Sequence, residues 1–408
     1  MEMETSNSRQ LAILGFSLVV VMLGFGLIIP IFPFYIEKLG AGGGELGLLV
    51  ATAALLEFLF APIWGSISDR VGRKPILMVG LLGYALSSLL MGLSTTLSML
   101  FGSRALSGVL SSATLVTAWA YVGDSTSEED RGGGMGWLGA AMGLGAILGP
   151  GLGGLLGATS LSTPFFIAAA MSLLALLLIA FLLPESLRPE ARQLDGKLRT
   201  VEARRLWRAL FSPIGILLFL VFLVSFGLGN FEAVFGLYAA RKFGYGPERV
   251  GAILTVIGIV TTLGKGALTG PATKRWGEAL VIKASLLAGS VGFVVLLLAN
   301  TYVTVLLATA FFIMSKTMLR PAVLSLTSKQ ATVGQGAAMG LSNSFMSLGR
   351  IIGPIWAGAA FDLNYNYPYL SGSLILLLGF LISLATVSQP AKGAVPVGMR
   401  SAADKPPG

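Results

Sequence analysis

The chain has 408 residues, of which 54% are hydrophobic and only 12% are charged, and its formal net charge is +9. Soluble domains carry about 25% charged residues, so this composition excludes a protein whose whole surface faces water. Cysteine and histidine are both absent, which excludes disulfides, thiolate chemistry and histidine-based metal sites. We therefore expect an integral membrane protein that is not an enzyme and holds no metal or other cofactor.

Twelve apolar segments are each long enough to cross a bilayer as a helix, which takes roughly 20 residues. They are too long for strands and their side chains do not alternate. The first is also too long for a signal-peptide core, so we expect it to be retained. The predicted spans are 11–36, 45–67, 76–94, 98–121, 132–157, 163–183, 213–240, 247–270, 280–299, 303–327, 334–360 and 367–388. This pattern predicts an all-α integral membrane protein with 12 transmembrane helices.

The distribution of basic residues predicts the orientation. With both termini in the cytoplasm, the inner segments hold 19 of the 28 Lys and Arg residues and the outer segments hold four. Such an excess marks the cytoplasmic side of a membrane protein. The net positive charge is then explained by orientation and contact with anionic lipid, so a nucleic-acid partner is not expected. We expect a multi-pass membrane protein with both termini in the cytoplasm.

The two halves of the chain repeat at an offset near 204 residues. Gly47 corresponds to Gly251, and the pair Gly149-Pro150 corresponds to Gly353-Pro354. Six spans per copy is an even number, so both copies enter from the same side as parallel repeats. The domain prediction is an N-tail (1–10), two six-helix bundles (11–183 and 213–388), a charged cytoplasmic linker (184–212) with a partly amphipathic surface helix, and a C-tail (389–408).

A short charged loop separates the second and third predicted spans. Its pattern is G-x-x-x-D-R-x-G-R-K, in which glycine permits a tight reversal and the charges must lie at the aqueous face. An ordinary positively charged inner loop is the alternative. The pattern resembles the signature loop of the major facilitator superfamily, and the resemblance implies a conformational role for Gly65, Asp69, Arg70, Gly72, Arg73 and Lys74.

The fifth predicted span carries glycines at three- and four-residue spacing, which makes a flat helix face, and a proline that bends the helix. Generic helix packing is the alternative interpretation. The sequence G-P-x-x-G-G resembles the antiporter motif of drug exporters in the same superfamily. The motif residues are Gly145, Gly149, Pro150, Gly153 and Gly154.

Two acids and several bases lie within the spans. Acids inside a membrane are candidate proton carriers by default, so Glu57 and Glu232 are candidate proton-coupling residues; a structural ion pair is the alternative for each. Arg104 resembles the arginine associated with proton coupling in these exporters, with a structural role as the alternative. The bases Lys316, Arg320 and Arg350 are expected to face a central cavity or to pair with the two acids.

Over residues 11–388 the chain resembles the NorA/Bmr type of bacterial multidrug:proton antiporter. The resemblance implies a location in the inner membrane of a bacterium, and by the same resemblance Glu232 falls on a proton-site acid. Thr317 stands where such pumps carry a second acid, and it is preceded by a lysine, so the expected substrates include neutral, zwitterionic and anionic amphiphiles. The predicted cavity residues, some by resemblance and others from position alone, are Asn230, Phe231, Lys316, Arg320, Asn343, Phe345 and Arg350.

The resulting hypothesis is a secondary active transporter, a monomer that exports small amphiphilic molecules in exchange for protons by alternating access. Its expected partners are the substrate, protons and membrane lipid. A lipid or glycolipid flippase of the same fold is the first alternative, in which Lys316 and Arg320 would hold a headgroup. A non-transporting membrane sensor is the second.

Overall fold

The computed structural model describes residues 2–192, 203–212, 214–330 and 335–387, and within these residues every regular element is helical. The predicted C-tail (389–408) and linker residues 193–202 lie outside the described residues. The remainder of the predicted linker contains a short helix, as its amphipathic pattern indicates. The helical structure agrees with the prediction from the sequence. Inside a membrane, a single apolar segment of this length can satisfy all its backbone hydrogen bonds only as a helix.

Eight α-helices form the first part of the chain. They are α1 (Glu2–Ile28), α2 (Phe32–Lys38), α3 (Gly43–Val71), α4 (Arg73–Leu93), α5 (Leu97–Leu106), α6 (Ser112–Ser125), α7 (Arg131–Thr159) and α8 (Thr163–Leu182). A π-helical turn, Ser107–Ser111, joins α5 to α6, so these two helices form one span. The predicted first span is broken between α1 and α2, where Pro30 lacks the backbone N–H that would continue the hydrogen bonds of α1. Pro33 lies in the first turn of α2, where a proline is tolerated.

Seven α-helices follow. They are α9 (Ala203–Leu210), α10 (Gly215–Phe243), α11 (Pro247–Leu263), α12 (Thr269–Leu298), α13 (Tyr302–Gln330), α14 (Gln335–Leu363) and α15 (Tyr367–Thr386). A second π-helical turn, Gly264–Leu268, joins α11 to α12. α12 contains a break at Gly277, where φ is 78° and ψ is 158°.

Four described residues have a positive φ, and all are glycines at turns: Gly40 (77°), Gly72 (121°), Gly244 (66°) and Gly277 (78°). Glycine adopts this conformation without the steric penalty that a Cβ atom brings. Gly40 and Gly244 are 204 residues apart, and Gly72 and Gly277 are 205 apart. The turns therefore recur at the offset that the sequence repeat predicts.

Ten helical segments of the described chain are long and apolar enough to cross a membrane. One of them, Pro247–Leu298, has 52 residues and includes the break at Gly277. The helix α14 is not among the ten, although it has 29 residues. Its sequence carries serines, asparagine and Arg350, and these lower its mean hydropathy.

The packing divides the chain into two compact units. Unit 1 comprises the described part of Met1–Val201, together with Glu232–Ile259 and Pro354–Tyr365. Its core includes Leu14, Leu77, Leu81, Tyr121 and Leu138, all at most 1% exposed. Unit 2 comprises the described parts of Glu202–Phe231, Val260–Gly353 and Asn366–Gly408. The unit boundaries thus differ from the predicted halves, because one end of α10, most of α11 and one end of α14 pack with the N-terminal helices.

Candidate functional site

A buried arginine organises the turn between α3 and α4. The guanidinium of Arg73 donates from Nε to Asp124 Oδ2 at 2.7 Å, and from Nη1 to Asp69 Oδ1 at 2.6 Å and to Ser68 Oγ at 2.7 Å. Arg73 is only 7% exposed, and each carboxylate is about a quarter exposed. One cation therefore fixes α3 and α6 to the start of α4, since the planar guanidinium offers several donors at once.

A carboxylate also caps the N-terminus of α4. Glu185 accepts hydrogen bonds from the backbone N–H groups of Arg73 at 2.8 Å and Lys74 at 3.1 Å. These are groups that a helix leaves without an internal partner. Gly72 is required here, because a Cβ atom at this position would lie 2.5 Å from Glu185 Oε2 and its φ is positive. The Nζ of Lys74 donates to the carbonyl of Ala180 at 2.7 Å.

The glycine face of α7 lies against α1. A Cβ added to Gly145 would lie 2.5 Å from the Cβ of Met22, and one added to Gly149 would lie 2.6 Å from the Cα of Gly26. One added to Gly153 would overlap the carbonyl of Leu27. The regular spacing of these glycines therefore lets two backbones approach closely.

The adjacent face of α7 lies against α11 within unit 1. A Cβ added to Gly154 would lie 3.0 Å from the Cα of Gly251, and one added to Gly151 would lie 2.8 Å from the Oγ1 of Thr255. Pro150 is buried between these two faces. The predicted antiporter motif thus forms the two faces through which α7 packs against α1 and α11.

The three predicted proton-coupling residues all lie in unit 1. Glu57 is half-buried in α3 and Glu232 is exposed in α10. The guanidinium carbon of Arg104 lies 4.0 Å from the centre of the Phe32 ring, and its Nε has no hydrogen-bond partner among the described residues. The π-helical turn that follows Arg104 is a feature often found at functional sites. The proton-coupling role of these residues stays a prediction.

The predicted cavity residues all lie in unit 2 and fall into two sets. Asn230, Phe231, Lys316 and Phe345 are at most 5% exposed, whereas Arg320, Asn343 and Arg350 are exposed. Phe231 packs on Phe312 with ring centres 5.1 Å apart. The ring of Phe345 belongs to an apolar cluster with Ile214, Leu218 and Ala338. Both aromatic side chains thus contact protein in this structure, and their cavity role stays a prediction.

Sequence reasoning missed several charged partners. Asp124 and Glu185 were not predicted to join the Arg73 network, and Glu278 was not predicted to pair with Lys329, although it accepts from that lysine and from Ser325. A usable signal was present, because each acid lies at the end of a span and so at an aqueous boundary. Glu278 directly follows Gly277, as Arg73 follows Gly72.

A further missed contact lies at the opposite end of α3. The carboxylate of Asp362, at the end of α14, accepts from the N–H of Gly43 at 2.8 Å and of Gly44 at 2.7 Å. The Nε of Arg241 lies 3.7 Å from Oε1 of Glu37 nearby. A carboxylate at the N-terminus of a helix meets free donors and the positive end of the helix dipole. These contacts join segments from both ends of the sequence within unit 1.

Comparison with known proteins identifies the fold and the family. The sequence profile of the Major Facilitator Superfamily matches residues 14–264 and 217–406. The chain belongs to the Major Facilitator Superfamily. This superfamily member is 35% identical over 367 residues to Multidrug resistance protein 2 of Bacillus subtilis (strain 168), covering 90% of this chain and 92% of the relative.

Two further similar proteins agree with this assignment to the superfamily. Quinolone resistance protein NorA of Staphylococcus aureus (strain COL) is 30% identical over 388 residues, covering 94% of this chain and 98% of the relative. The crystal structure of the nucleoside transporter NupG superposes with a TM-score of 0.77 at 14% identity, covering 93% of this chain and 100% of that chain. At that identity the structure shows the fold alone. The predicted resemblance to multidrug transporters of the superfamily is confirmed, and the chain is a multi-pass membrane transporter.

Proposed function

We propose that this protein is a proton-coupled exporter of amphiphilic small molecules in a bacterial cell membrane. The observation that carries the proposal is the 35% identity to Multidrug resistance protein 2 over nine-tenths of the chain. The relatives named above that share at least 30% identity are drug-resistance proteins. They support multidrug efflux by alternating access and give no support to a lipid flippase.

The proposed architecture has twelve spans in two parallel six-helix repeats. Two pairs of turn glycines at offsets of 204 and 205 residues support the repeat. The break at Gly277 divides the segment Pro247–Leu298 into two spans. α14 supplies the twelfth, since its 29 residues exceed the roughly 20 that a bilayer requires. Its polar residues suit a helix that borders a water-filled path.

The proposed orientation places both termini in the cytoplasm, with a monomer as the working unit. The basic turn at Gly72 then faces the cytoplasm, and the contact of Asp362 with Gly43 and Gly44 faces outwards. The Arg73 network holds the inner ends of α3, α4 and α6 as one rigid piece. Such a piece transmits a motion of one helix to its neighbours.

Proton coupling is proposed for Glu232, with Glu57 and Arg104 as its partners in the cycle. Glu232 is an exposed acid within a helix that is long and apolar enough to span the membrane. An acid at such a place gains and loses a proton with water rather than hydrocarbon around it. Loading of Glu232 from one side and release to the other would link proton movement to the change of access.

The experiment uses proteoliposomes with an imposed pH gradient and a panel of cationic, neutral and anionic amphiphiles. The wild type is expected to take up substrate and release protons, and Glu232→Gln is expected to lose gradient-driven uptake while keeping its unfolding temperature. Glu190→Gln, the same chemical change at an exposed position after α8, is the control and should transport normally. Full uphill transport by Glu232→Gln would contradict the assignment of this residue.

A further inference from the structure

The helix α9 is too short to cross a membrane, yet two large aromatic rings are exposed on it and directly after it. Its eight residues span about 12 Å, against the roughly 30 Å of a hydrocarbon core. Trp207 is 66% exposed, and Phe211, the residue that follows α9, is 76% exposed. Contact of such rings with water is unfavourable, so their exposure points to a surface that covers them.

The two rings form one continuous apolar surface. Their centres are 5.6 Å apart and the rings meet edge to face. The N–H of Phe211 donates to the carbonyl of Arg208 at 3.2 Å, so Phe211 continues the last turn of α9. Residues four apart on a helix are neighbours on the same side, and Trp207 and Phe211 therefore act as a pair.

Arg204 and Arg208 lie beside the two rings. At 3.6 residues per turn, the two arginines and the two aromatic residues fall within an arc of about 100° around the helix axis. Both arginines are exposed, and residues 203–212 contain no acidic residue. None of the ion pairs among the described residues involves either arginine. The result is an arginine–aromatic surface that consists of Arg204, Trp207, Arg208 and Phe211.

The other side of α9 is fixed to unit 2. Ala209 is 6% exposed and lies in an apolar cluster with Leu218 of α10 and with Ala338 and Phe345 of α14. Leu210 packs against the same cluster. α9 therefore has a defined position on the starts of α10 and α14, and only the arginine–aromatic surface is left to meet a partner.

The turn from α9 into α10 keeps this surface near the edge of the hydrocarbon. α10 is long and apolar enough to span the membrane, and it begins at Gly215, only four residues after Phe211. Four residues reach at most about 14 Å. The turn is also tight, because the N–H of Gly215 donates to the carbonyl of Ser212 at 2.8 Å and a Cβ atom on Gly215 would overlap the carbonyl of Leu210. The surface that lies within reach of the two rings is therefore the lipid headgroup layer.

We infer that the arginine–aromatic surface of α9 binds anionic phospholipid, with the rings of Trp207 and Phe211 at the boundary of headgroups and acyl chains and the guanidinium groups of Arg204 and Arg208 on the lipid phosphates. Tryptophan is enriched at this boundary, and a helix that carries arginines beside aromatic residues is attracted to an anionic membrane surface. Guanidinium groups bind phosphate oxygens with parallel hydrogen bonds. The inference adds a lipid partner to the proposed function, and it rests on the proposed orientation only for the choice of the inner leaflet.

The experiment measures quenching of Trp207 by brominated lipid in nanodiscs that hold one copy of the full-length protein. The chain has six tryptophans, so the contribution of Trp207 is the difference in fluorescence between wild type and Trp207→Phe. Brominated phosphatidylglycerol is expected to quench this contribution at least about twofold more than brominated phosphatidylcholine at the same mole fraction, because the two arginines attract the anionic lipid. Equal quenching by the two lipids, or no quenching of this contribution, would overturn the inference.

Two double variants test the arginines. Arg204→Gln combined with Arg208→Gln should remove the preference for phosphatidylglycerol and keep the quenching by phosphatidylcholine, since the two rings remain. Arg131→Gln combined with Arg275→Gln removes the same charge at exposed positions of α7 and α12 and should keep the preference. Loss of the preference to the same extent in both double variants would show an effect of net charge alone and overturn the assignment to α9.

The competing occupant of this surface is a second copy of the chain, and proteoliposomes of increasing protein density test it. Quenching of Trp207 that stays constant with density supports lipid as the partner. Protection of Trp207 at high density, with full quenching in the single-copy nanodiscs, would assign the surface to a second copy and overturn the inference. Quenching needs no pH gradient, so absence of gradient-driven transport would overturn the proposed function and leave the lipid site intact.

Discussion

Single charged residues at the ends of the spans determine how neighbouring helices are fixed. The loop pattern predicts Asp69, Arg73 and Lys74 as a functional group, and the structure places Arg73 at the centre of a hydrogen-bonded network. The pattern gives no information on Asp124 and Glu185, which are 51 and 112 residues from Arg73. Their roles depend on which helices pack side by side.

Replacing Arg73 by Ala should destabilise the protein, because two carboxylates lose their shared cation. Breaking a buried ion pair by removing one partner costs about 3–5 kcal/mol, and partial exposure of both carboxylates places our expectation near the lower limit. The measurement is the thermal unfolding of purified protein in detergent. Arg131→Ala, at an exposed position, is the control. An equal unfolding temperature for Arg73→Ala and wild type would contradict the network's structural role.

The glycine face of α7 shows how much of a contact between two helices can be predicted from a residue pattern. The spacing of Gly145, Gly149 and Gly153 predicts a flat face, and the structure places that face against α1. The pattern does not identify the partner helix. The pattern also does not distinguish glycines that contact another helix from those that do not. Gly139 lies four residues before another glycine of α7, yet a Cβ atom added to Gly139 would have nothing within 4 Å.

Gly149→Ala should therefore lower the unfolding temperature, whereas Gly139→Ala should not. An added methyl group at Gly149 would lie 2.6 Å from the Cα of Gly26, and such overpacking costs about 1–3 kcal/mol. At Gly139 the same change gains helix propensity of up to about 1 kcal/mol. Thermal unfolding of both variants in the same detergent compares them directly. A similar response of the two variants would contradict close packing of α7 on α1.

The whole molecule is divided in a way that the sequence halves do not suggest. Unit 1 combines the N-terminal helices with Glu232–Ile259 and Pro354–Tyr365. Within it, the carboxylate of Asp362 caps α3 through Gly43 and Gly44. In the proposed alternating-access cycle these two ends would separate, so the contact of Asp362 with Gly43 and Gly44 would favour the state in which they are joined.

Asp362→Asn should weaken the joined state, because the charge-assisted hydrogen bonds and the favourable interaction with the helix dipole are lost. The dipole effect alone is worth roughly 0.3–1 kcal/mol, which changes a two-state population two- to fivefold. Since the chain lacks cysteine, the single substitution Ala41→Cys, at a position 6% exposed, reports opening through its rate of maleimide labelling. Faster labelling is expected with Asp362→Asn. Unchanged labelling, or an equal increase with the control Asp130→Asn, would contradict the role of Asp362.

The sequence by itself determined the membrane class, the approximate positions of most helices, the turn at Gly72 and the resemblance to the superfamily, because hydrocarbon allows only apolar helices and because tight turns require glycine. Only the tertiary structure decided that Asp124 and Glu185 complete the Arg73 network, that Phe231 and Phe345 are buried, and that Asp362 caps α3. Side chains far apart in sequence meet only when particular helices become neighbours. Periodicity records which face of a helix is apolar or small, but not the helix against which that face will pack.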